Sequence, residues 1–397
     1  MPPDPKPRVA YVRGSFLNPF EAQYLEPLAD RFDITAVYPR SHRFDVSTLA
    51  LPSVQLPCLD YVNGLVPRRL GGISVPNPQK RFGFDEFLFG LDRFLPGIDL
   101  VHAAEQTFYC TYQIAKRKRR YGYRLICLQA EINPFWAEGA GHTLERTAFV
   151  RSVTDLFIAR SQRAKSALLC EGVEPERIRV IGHGIDTTRF APGPRSQELC
   201  RRFGIEDDQL VVLLVGRLVW EKGLFSLADA ASLLLQEESF RKLKPVFVLA
   251  GSGPERGDLE RRLRRLGIEA NFRLIGAQPY SLLPEIHRLA DIFVLPSIST
   301  RSVQEQFGIA IIEAMASGKP ILATRCGAID EVVGPAGVLV QANDYYRLAE
   351  GLKSLAENPD LRRDYGQRAL DRVRQLFTRE VIGNEIAAAY NSVLEKR

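Results

Sequence analysis

The chain has 397 residues, of which 45% are hydrophobic and 25% are charged, and its formal net charge at pH 7 is +6. This length predicts two or three domains, and the hydrophobic fraction is large enough to fill their cores. No apolar run approaches the ~18 residues of a transmembrane helix, which excludes such a span. Residues 1–7 lack the apolar stretch of a signal peptide, so we expect a cytoplasmic protein.

Short apolar runs alternate with helix-length amphipathic segments along the chain, a pattern typical of parallel α/β architecture. The predicted strands of the first half are residues 8–12, 34–37, 100–102, 124–128, 156–159 and 179–181. Those of the second half are residues 211–215, 246–250, 272–275, 292–295, 321–324 and 338–340. The Pro- and Gly-rich stretch 191–196 interrupts both patterns and is the best domain linker. We therefore predict two Rossmann-like domains, residues 1–190 and 191–377, that face each other across a cleft.

Polar residues stand at the ends of several predicted strands in the first half. Gly14 lies in the loop after the first strand, His102 ends the third, and Glu131 and Asn133 follow the fourth. Ligands of open α/β sheets bind at the carboxyl ends of strands, so these are candidate pocket residues. The alternatives are that His102 is a satisfied structural group and that Glu131 is an ordinary loop acid.

The most basic stretch is residues 116–120, Lys-Arg-Lys-Arg-Arg. Cations at the end of a helix stabilise its dipole, which explains the cluster without a partner. The alternative is weak contact with the anionic lipids of a membrane, which would place the protein at the inner face of that membrane. The sequence contains no named nucleic-acid-binding motif, so we expect no nucleic-acid partner.

A glycine-bounded loop follows the first predicted strand of the second half. Residues 216–223 read Gly-Arg-Leu-Val-Trp-Glu-Lys-Gly, which predicts a strand, a loop and a helix. Arg217 can bind phosphate oxygens in a bidentate fork, and Lys222 supplies a compact positive charge. Together they can stabilise a nucleoside diphosphate leaving group; two surface cations are the alternative. The chain has no Asp-x-Asp pair for a metal-bound diphosphate, so we predict no metal and no other cofactor.

Two glutamates, Glu305 and Glu313, bracket the run Gln-Phe-Gly-Ile-Ala-Ile-Ile. Gly308 predicts the start of a short helix over residues 309–317, so Glu305 belongs to the entry loop and Glu313 to the helix. Carboxylates accept strong hydrogen bonds from sugar hydroxyls, and the helix amino terminus can hold a phosphate. One ligand, a nucleotide sugar, would satisfy all three elements. The alternative is a pair of acids on a solvated helix.

Four motifs in this order resemble those of the retaining glycosyltransferases of family 4, which have the GT-B fold. They are His183-Gly184-Ile185-Asp186, the loop 216–223, Gly251-Ser252-Gly253-Pro254 and the pair Glu305 and Glu313. The resemblance covers most of the chain and is strongest from Ile181 to Ala342. It implies that the carboxy-terminal helix, residues 378–397, packs back on the first domain.

The resemblance also implies a role for each matching residue. Arg217 and Lys222 would bind the diphosphate, Glu305 the hydroxyls of the donor sugar, and Glu313 the ribose. His183 would lie at the domain interface. The remaining donor-binding residues implied by the motifs are Gly14, Gly216, Gly251, Gly253, Ile275, Phe307, Gly308 and Ile309.

The first half departs from the family at one catalytic position. Many members carry a histidine after the strand that corresponds to residues 124–128, and here Gln129 or Ala130 occupies that position. Glu131 is the best polar candidate in its place, either as an acceptor base or as a brace for developing positive charge.

The expected activity is retaining transfer of a sugar from a UDP- or GDP-sugar to a hydroxyl of a saccharide, lipid-linked or small-molecule acceptor. Two other functions stay open. A GT-B epimerase or phosphorylase would share the fold, and the missing histidine leaves room for a non-catalytic sugar-nucleotide-binding or membrane-scaffold protein.

Overall fold

The computed structural model describes residues 5–59, 69–70, 73–74, 87–136, 143–300 and 303–395. The chain divides into two compact units, which are Met1–Gly184 with Arg379–Arg397, and Ile185–Thr378. The boundary between the units falls at residues 184 and 185, compared with the predicted residues 190 and 191. Beside this boundary the Ile185 amide donates to the Phe377 carbonyl oxygen at 2.7 Å, which ties the beginning of the second unit to its end.

The described strands of the first unit form a seven-stranded parallel sheet and a separate two-stranded antiparallel pair. The strands are β1 (Arg8–Val12), β2 (Asp33–Pro39), β3 (Ser53–Leu56), β4 (Arg69–Leu70), β5 (Ile73–Ser74), β6 (Leu100–Ala103), β7 (Arg124–Gln129), β8 (Leu156–Ala159) and β9 (Ile178–Val180). The order in the large sheet is β3-β2-β1-β6-β7-β8-β9, and β4 pairs with β5. The helices are α1 (Pro19–Ala22), α2 (Leu91–Phe94), α3 (Tyr109–Tyr121), α4 (Thr143–Val153), α5 (Gln162–Cys170) and, last in the numbering used here, α15 (Arg379–Leu394).

Helices cover both faces of this sheet, as the apolar strands require. Alternate residues of β1 pack into different clusters because successive side chains of a strand point to opposite faces. Val9 and Tyr11 pack with Tyr390 of α15. Ala10 belongs to the other cluster, with Ile114 of α3. The carboxy-terminal helix thus supplies one layer of the first unit.

The described strands of the second unit form a six-stranded parallel sheet. They are β10 (Val211–Val215), β11 (Val246–Ala250), β12 (Phe272–Gly276), β13 (Ile292–Leu295), β14 (Ile321–Thr324) and β15 (Gly337–Val340), in the order β12-β11-β10-β13-β14-β15. The helices are α6 (Gln197–Phe203), α7 (Leu224–Leu234), α8 (Glu238–Arg241), α9 (Arg256–Leu266), α10 (Leu283–Leu289), α11 (Ile309–Ala316), α12 (Ile329–Val333), α13 (Tyr345–Glu357) and α14 (Pro359–Leu376).

The strand order places a topological switch point in each sheet. In the second unit β10 lies between β11 and β13, so the loops that leave β10 and β13 meet at the carboxyl end of the sheet. In the first unit β1 and β6 are the corresponding neighbours. Open α/β sheets bind ligands at such points. Within the described parts of both units, no helix is long and apolar enough to cross a membrane.

Candidate functional site

An ion pair joins the two loops at the switch point of the second unit. Lys222 Nζ lies 2.5 Å from Glu305 Oε2, and Ser297 Oγ donates to the same carboxylate oxygen at 3.1 Å. The Lys222 and Glu305 side chains are only 20% and 14% exposed. A charge-assisted hydrogen bond at this distance is strong. The predicted diphosphate cation and sugar-binding carboxylate are therefore brought into direct contact.

Arg217 lies on the same loop and is exposed. Its guanidinium makes no hydrogen bond or ion pair with another residue in the described part of the chain, although its carbonyl oxygen accepts from the Val219 amide at 3.0 Å. The fork of donors is therefore available to a ligand. An available guanidinium beside an anchored ammonium is suited to an anion with several oxygens.

The glycine turn after β11 supports the loop that carries Arg217. A Cβ atom on Gly251 would lie 1.8 Å from the Gly216 carbonyl oxygen, and one on Gly253 would lie 2.2 Å from the Leu218 carbonyl oxygen. The Leu218 amide donates to the Ser252 carbonyl oxygen at 2.9 Å. Glycine is thus required for these two backbones to approach each other. Direct contact of Gly216, Gly251 or Gly253 with a donor stays a prediction.

The short helix after Glu305 begins and ends close to the predicted residues. Gly308 has φ of 87°, a left-handed conformation, and directly precedes α11. The Phe307 side chain is 5% exposed, and its ring centroid lies 5.8 Å from that of Phe377 in the core. A contact of Phe307 with the donor stays a prediction. Ile309 begins the helix and is half-buried.

Glu313 faces a histidine that the sequence analysis did not single out. His287 Nε2 lies 3.3 Å from Glu313 Oε2, and both side chains are almost fully buried. The signal in the sequence was the apolar face of α10, where Ile286 and Leu289 flank His287. The contact of Glu313 with a ribose stays a prediction. At the end of β12, the Ile275 carbonyl oxygen accepts from Gln278 Nε2 at 2.6 Å.

Charged groups also gather at the carboxyl ends of the strands in the first unit. Arg13 follows β1 and pairs with Glu21 at 2.7 Å. Arg160 follows β8, where it donates to the Gly182 carbonyl oxygen at 2.7 Å and to the Tyr24 hydroxyl. Gly14, with φ of 58°, opens the turn after Arg13. This edge of the sheet therefore holds two buried cations.

The predicted histidines of this edge are buried beside those cations. His102 Nδ1 lies 2.8 Å from the Tyr390 hydroxyl, which ties β6 to α15. Burial is the main cause that lowers the pKa of His102 and of His183 well below the ordinary value, and the positive charges of Arg160 and Arg13 lower it further. Both imidazoles are therefore neutral at physiological pH. The contact of His102 with Tyr390 gives it a structural role.

Glu131 organises its own turn. Its Oε1 accepts from the Ile132 amide at 3.0 Å, from the Asn133 amide at 2.8 Å and from Asn133 Nδ2 at 2.9 Å. These bonds fit the alternative of a loop acid better than that of a catalytic group. A catalytic part for Glu131 or Asn133 stays a prediction.

Glu105 is a carboxyl group at this edge that the sequence analysis missed. It follows β6, and its Oε1 accepts from the Ala130 amide at 2.7 Å. Burial is the main cause that raises the pKa of Glu105 to about 7, and the charge of Glu131 adds to it, while Arg13 and Arg160 oppose it. Its place shortly after His102 at a strand end was the available signal.

The basic cluster of α3 is divided between paired and exposed cations. Arg117 pairs with Asp92 at 2.9 Å, and Lys118 pairs with Asp155 at 2.7 Å. Arg120 also pairs with Asp92, at 3.8 Å, but it is 73% exposed. Lys116, Arg119 and Arg120 therefore face solvent, whereas Arg117 and Lys118 are half-buried.

Residues 196–372 match the family model described as glycosyl transferases group 1. This segment contains the loop with Arg217 and the pair Glu305 and Glu313. The part of the chain that holds the candidate site therefore resembles the group 1 glycosyl transferases, over slightly less than half of the chain. The predicted resemblance to a glycosyltransferase family is confirmed for this segment.

The individual relatives of this chain are also named as glycosyltransferases. The chain is 32% identical over 227 residues to the D-inositol 3-phosphate glycosyltransferase of Corynebacterium glutamicum, a match that covers 56% of this chain and 53% of the relative. It is 27% identical over 263 residues to the alpha-D-kanosaminyltransferase of Streptomyces kanamyceticus, covering 65% and 63%. The chain thus spans about half to under two thirds of the length of these relatives.

Solved structures show the same fold at low sequence identity. HepE of Anabaena in complex with UDP has a TM-score of 0.77 at 19% identity, covering 97% of this chain and 100% of HepE. Sucrose-phosphate synthase of Thermosynechococcus elongatus has a TM-score of 0.74 at 18% identity, covering 99% and 100%. The predicted α/β fold class of the GT-B type, with two Rossmann-like units, is confirmed.

Proposed function

We propose that this protein is a glycosyltransferase that moves a sugar from a nucleoside diphosphate donor to a hydroxyl group of a saccharide, lipid-linked or small-molecule acceptor. The observation that carries the proposal is the Lys222–Glu305 ion pair beside the exposed guanidinium of Arg217 at one switch point. The group 1 family match of the same segment supports it.

The two cations stabilise the leaving group. When the bond between the anomeric carbon and the diphosphate breaks, negative charge grows on the phosphate oxygens. The Arg217 fork and the Lys222 ammonium bind those oxygens, and preorganised charges of this kind lower the barrier because they need no reorientation during the reaction. Glu305 and Ser297 hold Lys222 in position before the donor binds.

Glu305 also binds the sugar. Both observed hydrogen bonds reach its Oε2, so Oε1 is left to accept from a hydroxyl of the donor sugar. The acceptor hydroxyl then forms the new bond to the anomeric carbon with retention of configuration, and its proton passes to an oxygen of the leaving phosphate. No metal takes part in this scheme. UDP is the first nucleotide to test because HepE was solved with UDP and glucose.

Donor binding is tested by thermal unfolding with UDP, GDP and UDP-glucose in the presence of EDTA. A ligand that binds only the folded state at a hundredfold excess over its dissociation constant adds about 2.7 kcal/mol. We expect one nucleotide to raise the Tm of the wild type and not that of Arg217→Ala/Lys222→Ala. The matched control, Lys242→Ala/Arg261→Ala, removes two exposed cations from the same unit and should keep the shift.

Turnover separates the proposed function from its alternatives. NMR of the product is expected to show the anomeric configuration of the donor. An inverted product would contradict the retaining scheme, and turnover of the nucleotide sugar without an acceptor would favour an epimerase. Binding without any transfer or hydrolysis would favour a non-catalytic sugar-nucleotide-binding protein.

A further inference from the structure

Among the described residues of the first unit, Glu105 has a carboxylate oxygen that is buried and lacks a donor. Glu105 Oε1 accepts from the Ala130 amide, but Oε2 has no hydrogen-bond partner in the described part of the chain. A buried acceptor without a donor costs free energy. The residue as a whole is half-buried, whereas Oε2 itself is shielded from solvent.

The position of Glu105 is that of a ligand-binding group. It follows β6, which is the neighbour of β1 at the switch point of the first sheet. The loops after β1, β7 and β8 carry Arg13, Glu131 and Arg160, whose charges act on Glu105. Charged groups from three other strand ends are thus near this carboxyl group, and a carboxyl group with a purely structural role normally has both oxygens bonded.

The neighbouring acid is arranged differently. Glu131 Oε1 accepts hydrogen bonds from three donors of its own turn. Glu105 has a single backbone donor on Oε1 and nothing on Oε2. The two carboxyl groups of this edge therefore have separate tasks.

We propose that Glu105 Oε2 accepts a hydrogen bond from a hydroxyl group of the acceptor, so that Glu105, and not Glu131, is the acceptor-binding carboxyl group of the first unit. This inference rests on the proposed glycosyltransferase function. It assigns the acceptor to a chemical class at this point of contact. A carboxylate oxygen only accepts, so it selects a group that donates a hydrogen bond, such as a hydroxyl.

The state of Glu105 sets a dependence on pH. Arg13, Glu131 and Arg160 face it from three other strand ends, and Cys127 of β7 lies near enough to respond to its charge. With a pKa of about 7, Glu105 loses its proton between mildly acidic and mildly basic pH. The ionised form binds a hydroxyl more strongly than the neutral form. Acceptor affinity should therefore rise across this range.

Steady-state kinetics of wild type, Glu105→Gln and Glu176→Gln test the inference, with UDP-glucose as donor and a panel of monosaccharides, inositol and their phosphates as acceptors. Glutamine keeps an acceptor oxygen but loses the charge, and a hydrogen bond to a neutral group is weaker than one to a charged group by about five- to tenfold in affinity. We expect Glu105→Gln to raise the KM of the acceptor by this factor, to leave the KM of the donor unchanged, and to flatten the pH dependence of kcat/KM for the acceptor.

Glu176→Gln, which changes an exposed acid of the first unit, is the matched control, and Glu105→Asp keeps the acid while it shortens the reach. The control should change the acceptor KM by less than about threefold, and Glu105→Asp should keep the pH dependence with an intermediate KM. Wild-type transfer combined with an unchanged acceptor KM in Glu105→Gln would overturn the role of Glu105 alone. A wild type that transfers sugar to no acceptor would overturn the proposed function and this inference together.

Discussion

Lys222 Nζ and Glu305 Oε2 lie 2.5 Å apart although the two residues are separated by 83 positions in the chain. Their loops meet because β10 and β13 are neighbours in the sheet while β11 and β12 lie on the other side of β10. The pair thus depends on the crossover in strand order, which places a cation and a carboxylate in one site.

Breaking this pair should impair catalysis from either side. Lys222→Ala removes a charge on the leaving group and should lower kcat by about a hundredfold. Glu305→Ala frees Lys222 from its anchor and should lower kcat similarly. The double variant should lose much less than the sum of the two free-energy changes, because the residues act together. Steady-state kinetics of the wild type, the two single variants and the double variant form a double-mutant cycle that measures this coupling. Strictly additive changes in free energy would contradict a coupled pair.

The buried pair of His287 and Glu313 should contribute to stability as well as to donor binding. His287→Phe leaves the Glu313 carboxylate buried without its partner, so we expect a loss on the order of 2–4 kcal/mol in the free energy of unfolding. Urea denaturation measures this loss. Glu285→Gln, on the same helix but half-buried, should change the stability little. Equal stability of both variants would mean that the carboxyl group of Glu313 is satisfied in another way.

Gly251 should not tolerate a side chain. A Cβ atom there would lie 1.8 Å from a backbone carbonyl oxygen and the residue has φ of 153°, so Gly251→Ala must displace the loop that carries Arg217. We expect weaker binding of UDP and a lower Tm. Gly257→Ala is the control, since its Cβ would meet nothing closer than an Arg261 side-chain nitrogen at 3.6 Å and the residue lies in a helix. Unchanged UDP binding in Gly251→Ala would show that the loop can adapt.

Glu105 should make stability fall as pH rises. Its pKa of about 7 in the folded state lies above the ordinary value of 4.5, so the folded protein keeps a proton that the unfolded chain has released between these two pH values. Stability therefore decreases through this window and is level above it. Glu105→Gln should gain on the order of 1–3 kcal/mol relative to wild type between about pH 5 and pH 8. Unfolding curves at both pH values measure the gain, and a constant difference would place the folded pKa at its ordinary value.

Contact with an anionic membrane should depend on the exposed members of the basic cluster. Lys116, Arg119 and Arg120 face solvent, and each cation near an anionic surface contributes on the order of 1 kcal/mol. Removing all three should reduce salt-sensitive sedimentation with anionic vesicles. The control removes three exposed arginines of α9: Arg261, Arg264 and Arg265. Equal binding of both triple variants would contradict the membrane contact and leave stabilisation of the helix dipole as the role of the cluster.

Local chemistry made much of this protein readable from its sequence. Strands of apolar residues recur with helix-length segments, so all six strands of the second sheet and six of the seven strands of the first sheet were predicted close to their observed bounds. Strand β3 was missed because only Leu56 among its residues is buried. The helix after Gly308 was predicted to within one residue. Arg217, Lys222 and Glu305 were predicted as a site because cations and carboxylates beside glycine loops suit a ligand with phosphates and hydroxyls, and the structure brings Lys222 and Glu305 together.

Tertiary structure decided which groups meet. His287 is distant in sequence from Glu313, Glu105 from Arg13 and Arg160, and Ile185 from Phe377, so no local pattern could show their contacts. Phe307 stands in a loop motif, yet its ring lies in the core because Phe377 offers it an apolar partner. Burial and electrostatic partners are properties of the packed chain, and they alone distinguish Glu105 from Glu131.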